Sequence, residues 1–208
     1  MTAAVVFDLG GVVFHWKPTR LLRETLPDRA PDEAAAEGLT AAVFQGFTLD
    51  SDWALFDLGR TDADGLAARI ARRTSLAADE VRRVIDAVPV HLKPDAATVA
   101  LIERLAGAGQ RVCFFSNMPA SYAEHLQRLN PFFARFDGGV FSSQVGLMKP
   151  DAAFYERAAD VLGLDAARTV FTDDVQANVD AARGHGWDAF VYRDAAQCEA
   201  ELVERRLL

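Results

Sequence analysis

Cysteine and histidine are scarce in this 208-residue chain, and no apolar run is long. The two cysteines, Cys113 and Cys198, have no metal-ligand spacing. Cys113 lies within Val112-Cys113-Phe114-Phe115 and reads as a buried core thiol, and nothing in the pattern calls for an oxidising compartment. His15, His91, His125 and His185 form no metal spacing either. No apolar run approaches the ~20 residues of a membrane helix, and Met1 to Ala4 lack the basic start of a secretory signal. Positive charge is also short, with 22 Lys and Arg against 30 Asp and Glu and a net charge of −8. Nucleic acid and anionic membranes, which need concentrated positive charge, are therefore excluded as partners. The expectation is a soluble cytoplasmic protein, a monomer or homodimer.

What is present is a core-forming composition, 50% hydrophobic and 25% charged, sufficient for one large α/β domain or a core plus a smaller insert. Apolar runs at Ala3–Phe7, Arg111–Phe115 and Thr169–Thr172 are continuous rather than alternating, with weaker ones at Gly139–Ser142 and Ala189–Tyr192. Continuous runs suit strands buried on both faces of a parallel sheet. Helical spacing over Ala96–Ala106, Ala152–Leu162 and Asn178–Arg183 separates these strands, which predicts a doubly wound α/β fold. Residues 16–92 carry no convincing strand. Helical patterns over Ala35–Phe44, Asp62–Arg73 and Asp79–Val88 make this stretch a helical insert after the first strand, with 1–15 and 93–208 forming the core.

Three strand ends carry polar groups: Asp8, Ser116-Asn117 and Asp173-Asp174, with Lys149-Pro150 between the last two. In an open parallel sheet, ligands bind beyond the carboxyl ends of the strands, so residues far apart in sequence converge there. Alone, each has a plainer role: a turn residue, a solvated lysine, a helix cap. Asp151, directly before a helical run, reads as a cap. Together, in this order, they point to one site.

The ordered set resembles the four motifs of the haloacid-dehalogenase-like superfamily: Val5-Val6-Phe7-Asp8-Leu9-Gly10-Gly11-Val12, then Phe114-Phe115-Ser116-Asn117, then Lys149-Pro150, then Phe171-Thr172-Asp173-Asp174 with Asn178. The subgroup with an Asp-Leu-Gly first motif includes sugar-phosphate phosphatases. The resemblance implies a Rossmann-like core with a mobile cap and a small phosphorylated substrate such as a sugar 1-phosphate. It further implies Asp8 as nucleophile forming an aspartyl-phosphate. Mg²⁺ would be held by Asp8, the Gly10 carbonyl and Asp174, with Asp173 reaching it through water. Ser116, the Asn117 backbone N–H, Lys149 and the Gly11 turn would bind the phosphoryl group, with Lys149 stabilising its charge. Asn178 and the Gly10-Gly11 turn would hold the loops.

One departure matters. Most phosphatases of this superfamily have a second Asp two residues after the nucleophile, as general acid and base, and here Gly10 stands there. Either another group substitutes, with His15 nearest in sequence, or the leaving group needs little protonation. A 2-haloacid dehalogenase, in which the same Asp attacks carbon, needs no such acid, but the acidic pair Asp173-Asp174 favours the phosphatase. A catalytically weak binding protein is the third alternative, opposed by the joint presence of Asp8, Lys149, Asp173 and Asp174. Trp16 or His15, at the insert junction, is expected to face substrate.

Overall fold

The computed structural model describes residues 3–208, so Met1 and Thr2, part of the stretch read above for a leader, lie outside the described residues. Strand β1 (Ala4–Phe7) leads into a helical segment of α1 (Pro18–Thr25), α2 (Glu33–Phe44), α3 (Asp52–Asp57), α4 (Ala63–Arg73) and α5 (Ala78–His91). Helix α6 (Ala96–Gly107) then precedes β2 (Arg111–Ser116), α7 (Ala120–Leu129), β3 (Gly138–Phe141), α8 (Ser142–Val145) and α9 (Ala152–Leu162). The chain ends with β4 (Thr169–Asp173), α10 (Gln176–Gly184), β5 (Asp188–Val191) and α11 (Ala195–Glu204). All five strands are parallel, in the order β3-β2-β1-β4-β5.

The continuous apolar runs are explained by burial on both sides of this sheet. Successive strand residues point to opposite faces, and both faces are covered. Val5, Phe7, Val112, Phe114 and Val170 join one core cluster, whereas Val6, Cys113, Phe115 and Phe171 join another. Both cysteines are buried and free, with burial pushing their thiols up to about 11 and about 12. They are inert core groups. Among the described residues no helix is long and apolar enough to cross a membrane.

The helical segment leaves and rejoins the sheet at one point. The Asp95 N–H donates to the Val13 carbonyl at 2.8 Å and the His15 N–H donates to the Lys93 carbonyl at 2.9 Å. Helix α5 packs against α1 and α4, and its buried face is Val81, Val84, Ile85 and Val88. Its expected start at Asp79 moves to Ala78, because the Glu80 carboxylate turns back to accept the Ala77 N–H at 2.8 Å and so closes the first turn. The strand order reverses direction between β1 and β4, which opens a crevice at their carboxyl ends.

Candidate active site

Asp8 is the first residue beyond β1, and its N–H donates to the Thr172 carbonyl of β4 at 3.0 Å. Phe7 pairs with both Phe114 and Thr172, so this register places Asp8 level with Asp173 on one side and Phe115 on the other, one residue short of Ser116 at the end of β2. The turn after Asp8 is closed by the Gly11 N–H donating to the Phe14 carbonyl at 2.7 Å. Gly11 has φ +80°, a left-handed conformation that glycine adopts without steric cost, and a Cβ there would overlap the Asp174 carboxylate. Gly11 therefore leaves room for the Asp174 carboxylate and is not among the residues lining the cavity.

Lys149 is buried at the centre. Its Nζ donates to Asp8 Oδ1 at 2.7 Å, to Asp173 Oδ2 at 2.6 Å and to the Phe115 carbonyl at 3.0 Å. Three acceptors satisfy the three ammonium donors, the condition for burying such a charge. Burial works against the charge, and the Asp173 and Asp8 carboxylates outweigh it, holding Lys149 above its ordinary value. The loop carrying Lys149 is clamped by the Asn117 side chain, which donates to the Lys149 carbonyl at 3.0 Å and accepts from the Lys149 N–H at 2.8 Å. This clamp was not legible in the sequence, where only the backbone of Asn117 was assigned a role.

The two adjacent aspartates divide their work. Asp173 is fully buried, and both its oxygens are engaged: Oδ1 by the Val175 N–H and Asn178 Nδ2, each at 2.9 Å, and Oδ2 by Lys149 and, at 3.1 Å, by Asn178. It holds the lysine and also caps the turn into α10, a role expected of either aspartate. Asp174 is exposed towards the cavity. Desolvation first, and the neighbouring Asp173 charge second, push it above its ordinary value. Asp8 is pushed up by its own burial and by Asp173 and Asp174, with Lys149 opposing.

Carboxylate oxygens of Asp8, Asp173 and Asp174 all lie within 4.8 Å of one another. Three carboxylates against one ammonium leave surplus negative charge, and the donors are hard oxygens. This set fits a divalent cation of the magnesium or calcium type, with Asp174 and the Asp8 oxygen that Lys149 does not engage left for it.

A cavity of about 520 Å³ opens above the cluster, lined on its floor by Asp8, Gly10, Ser116, Asn117, Lys149 and Asp174. Its opposite wall is apolar and aromatic and comes from the helical segment: Trp16, Phe47, Leu49, Trp53, Val88 and Leu92. Trp16 thus faces the cavity as expected. His15 does not: it lines a separate cavity with Lys17, Arg20 and His91, and its Nε2 lies 3.7 Å from Asp95 Oδ2. The extended backbone at this junction sends neighbouring side chains to opposite sides, which removes His15 as the substitute acid.

The same wall contains a carboxyl group that sequence reasoning missed. Asp57, the last residue of α3, is 6% exposed and lines the cavity. Desolvation pushes it up to about 8. The unfolded chain therefore releases this proton near the ordinary value of 3.8 while the folded chain keeps it to about 8, so Asp57 costs increasing stability as pH rises through that window. Asp57→Asn is expected to melt higher than the parent near pH 8, with the difference vanishing below about pH 4 where both states are protonated. A difference that stays constant across the range would contradict the buried, proton-bearing carboxyl.

A family model described as haloacid dehalogenase-like hydrolase matches residues 2–186. The sesquiterpene phosphatase astK of Aspergillus oryzae is 29% identical over 184 residues, covering 88% of this chain and 86% of that protein. A phosphoglycolate phosphatase of Rhodospirillum rubrum is 29% identical over 197 residues, covering 89% and 77%. An enzyme of the same family from Bacteroides thetaiotaomicron, solved with magnesium and inorganic phosphate, superposes with a TM-score of 0.70 at 16% identity, over 93% of this chain and 95% of that one.

Proposed function

Because the chain belongs to the haloacid dehalogenase-like hydrolases, we propose that it is a Mg²⁺-dependent phosphatase whose nucleophile is Asp8 and whose substrate is the phosphate monoester of a largely apolar alcohol. The observation that carries the reading is the buried Lys149, bridging Asp8 and Asp173 beneath a cavity into which Asp174 also opens. Asp8 attacks phosphorus and the alcohol departs, leaving an aspartyl-phosphate that water then hydrolyses. Lys149 orients the Asp8 carboxylate through Oδ1 and offsets charge on the transferring group. Ser116 and the Asn117 N–H face the phosphoryl oxygens. Asp8, Asp174 and the Gly10 carbonyl would hold Mg²⁺, which when bound screens the nucleophile from the substrate's negative charge. Residues 16–92 act as the cap, covering the site and excluding water from the aspartyl-phosphate until it should react.

The substrate class follows from the wall. Trp16, Phe47, Leu49 and Trp53 offer apolar area and rings, some packed edge-on such as Trp16 against Phe47 at 5.9 Å, with few groups to pair the hydroxyls of a sugar. Buried sugar hydroxyls without partners cost affinity, whereas an apolar chain gains about 25 cal/mol for each Å² buried. The likeness to a sesquiterpene phosphatase supports the same choice. Phosphate release from a prenyl monophosphate, glucose 1-phosphate and phosphoglycolate, each with Mg²⁺, tests it. The expected order of kcat/KM puts the prenyl ester first. A sugar 1-phosphate in first place, the ester suggested by the sequence, would overturn the apolar assignment.

Gly11→Ala is expected to raise the Mg²⁺ concentration needed for half-maximal rate by at least about 10-fold, since second-sphere support of a ligand typically contributes 10–100-fold in metal affinity. The added methyl displaces Asp174. An unchanged Mg²⁺ requirement would remove Asp174 from the metal site.

A further inference from the structure

Gly10 lines the cavity beside Asp8 and carries no side chain, and a Cβ placed on it would meet nothing within 4 Å. The space for an acid is therefore open on the core side, and departure of an alkoxide still needs a proton. Asp57 stands on the opposite wall of the same cavity. We propose that Asp57, reaching in from the helical segment, is the acid that protonates the departing alcohol oxygen, taking the role vacant at Gly10; this rests on the phosphatase reading above.

The placement of Asp57 is fixed by the fold. Its backbone carbonyl accepts the Ser142 hydroxyl at 2.6 Å, and the same Ser142 oxygen accepts the Met118 N–H at 2.9 Å. Met118 lies two residues beyond Ser116, so one hydroxyl ties the end of α3 to the loop that floors the site. Gly59, at φ +69°, follows two residues later, where an added Cβ would come within van der Waals contact of Ser143. Among the described residues no hydrogen bond or ion pair reaches the Asp57 carboxyl group. A buried carboxyl without a partner has no evident structural use, and burial keeps its proton in place at neutral pH. The Tyr122 hydroxyl of α7 is a titratable neighbour of Asp57, and Asp8, Lys149 and Asp174 line the same cavity. Tyr122 is not the donor, because its hydroxyl is committed to the Ile85 carbonyl at 2.6 Å and burial pushes it further up.

The step balances. As the Asp8 oxygen–phosphorus bond forms, the phosphorus–alcohol oxygen bond breaks, and the Asp57 proton moves to that oxygen to give the free alcohol. The Asp57 carboxylate then takes a proton from the water that attacks the aspartyl-phosphate. This regenerates both aspartates and releases phosphate.

The test compares two esters in the parent chain and Asp57→Asn, using kcat/KM, which covers the steps through departure of the alcohol. An alkyl phosphate needs its leaving oxygen protonated, and 4-nitrophenyl phosphate does not. Asp57→Asn should lower kcat/KM for the alkyl ester by ~10²–10⁴-fold and for the nitrophenyl ester by less than about 10-fold, since general-acid assistance matters little to a good leaving group. Placing Gly10→Asp in the Asp57→Asn background should restore the alkyl ester selectively. Equal losses for both esters, or no loss for either, would overturn the assignment. If the parent chain released phosphate from neither ester, the phosphatase reading itself would fall, and Asp57 with it. The carboxamide has the shape of the carboxyl it replaces and breaks no hydrogen bond, and 4-nitrophenyl phosphate turnover reports that the variant is folded.

Discussion

Asp8→Asn is expected to abolish phosphate release while leaving the melting temperature unchanged or higher. The carboxamide cannot form an acyl phosphate, so the two-step path is closed rather than slowed. Stability should not suffer, because Asp8 is a strained participant in its own cluster. Its burial and the charges of Asp173 and Asp174 all disfavour its ionised form, and Lys149 keeps Asp173 as its partner when Asp8 is neutral. Sites arranged for reactivity often lower stability in this way. Activity assays paired with thermal melts check both halves. Residual turnover above about 1% of the parent rate would place the nucleophile elsewhere, given that nucleophile removal commonly costs far more than ~10²-fold.

Lys149→Met has the second large effect, and of a different kind. Here both activity and stability fall. The ammonium is the hub of three hydrogen bonds and two ion pairs, with its side chain 2% exposed. Removing it leaves Asp8 and Asp173 facing each other without compensation. Breaking a buried pair from one side typically costs 3–5 kcal/mol, and losing charge stabilisation at the transferring group costs about 10²–10³-fold in kcat. Lys149→Arg should not rescue, because the planar guanidinium cannot replace a compact three-donor ammonium at this position. Chemical denaturation alongside kinetics measures the pair. A variant as stable as the parent would mean that the two carboxylates are not held charged by Lys149.

Much of this site was readable from the sequence because the sheet imposes order on it. Asp8, Ser116-Asn117 and Asp173-Asp174 follow strands whose apolar runs are continuous, and parallel pairing brings those ends together. Asp151 was read as a helix cap, and its side chain does accept the Ala153 N–H at 3.1 Å at the start of α9. What the sequence concealed depends on packing between elements. Asp57 sits in Leu55-Phe56-Asp57-Leu58, a short amphipathic stretch where a charged residue would ordinarily face water, and the packing of α3 against its neighbours, α4 and α8 among them, buries it. His15 was nearest in sequence to the vacant acid position, yet pairing of its N–H with Lys93 turns it towards a different cavity. The Asn117 clamp on Lys149 joins residues 32 positions apart and has no local signature. Of the apolar wall only Trp16 was legible, since Trp53 reaches the same cavity from a separate segment.

The measurement that tests the central claim most directly is product release with Mg²⁺ and with EDTA, from the preferred phosphate ester and from 2-chloropropionate in parallel. The expected result is phosphate release that requires Mg²⁺ and disappears in Asp8→Asn, with no chloride released under either condition. Chloride release unaffected by EDTA would mean that Asp8 attacks carbon and that Asp174 serves no metal.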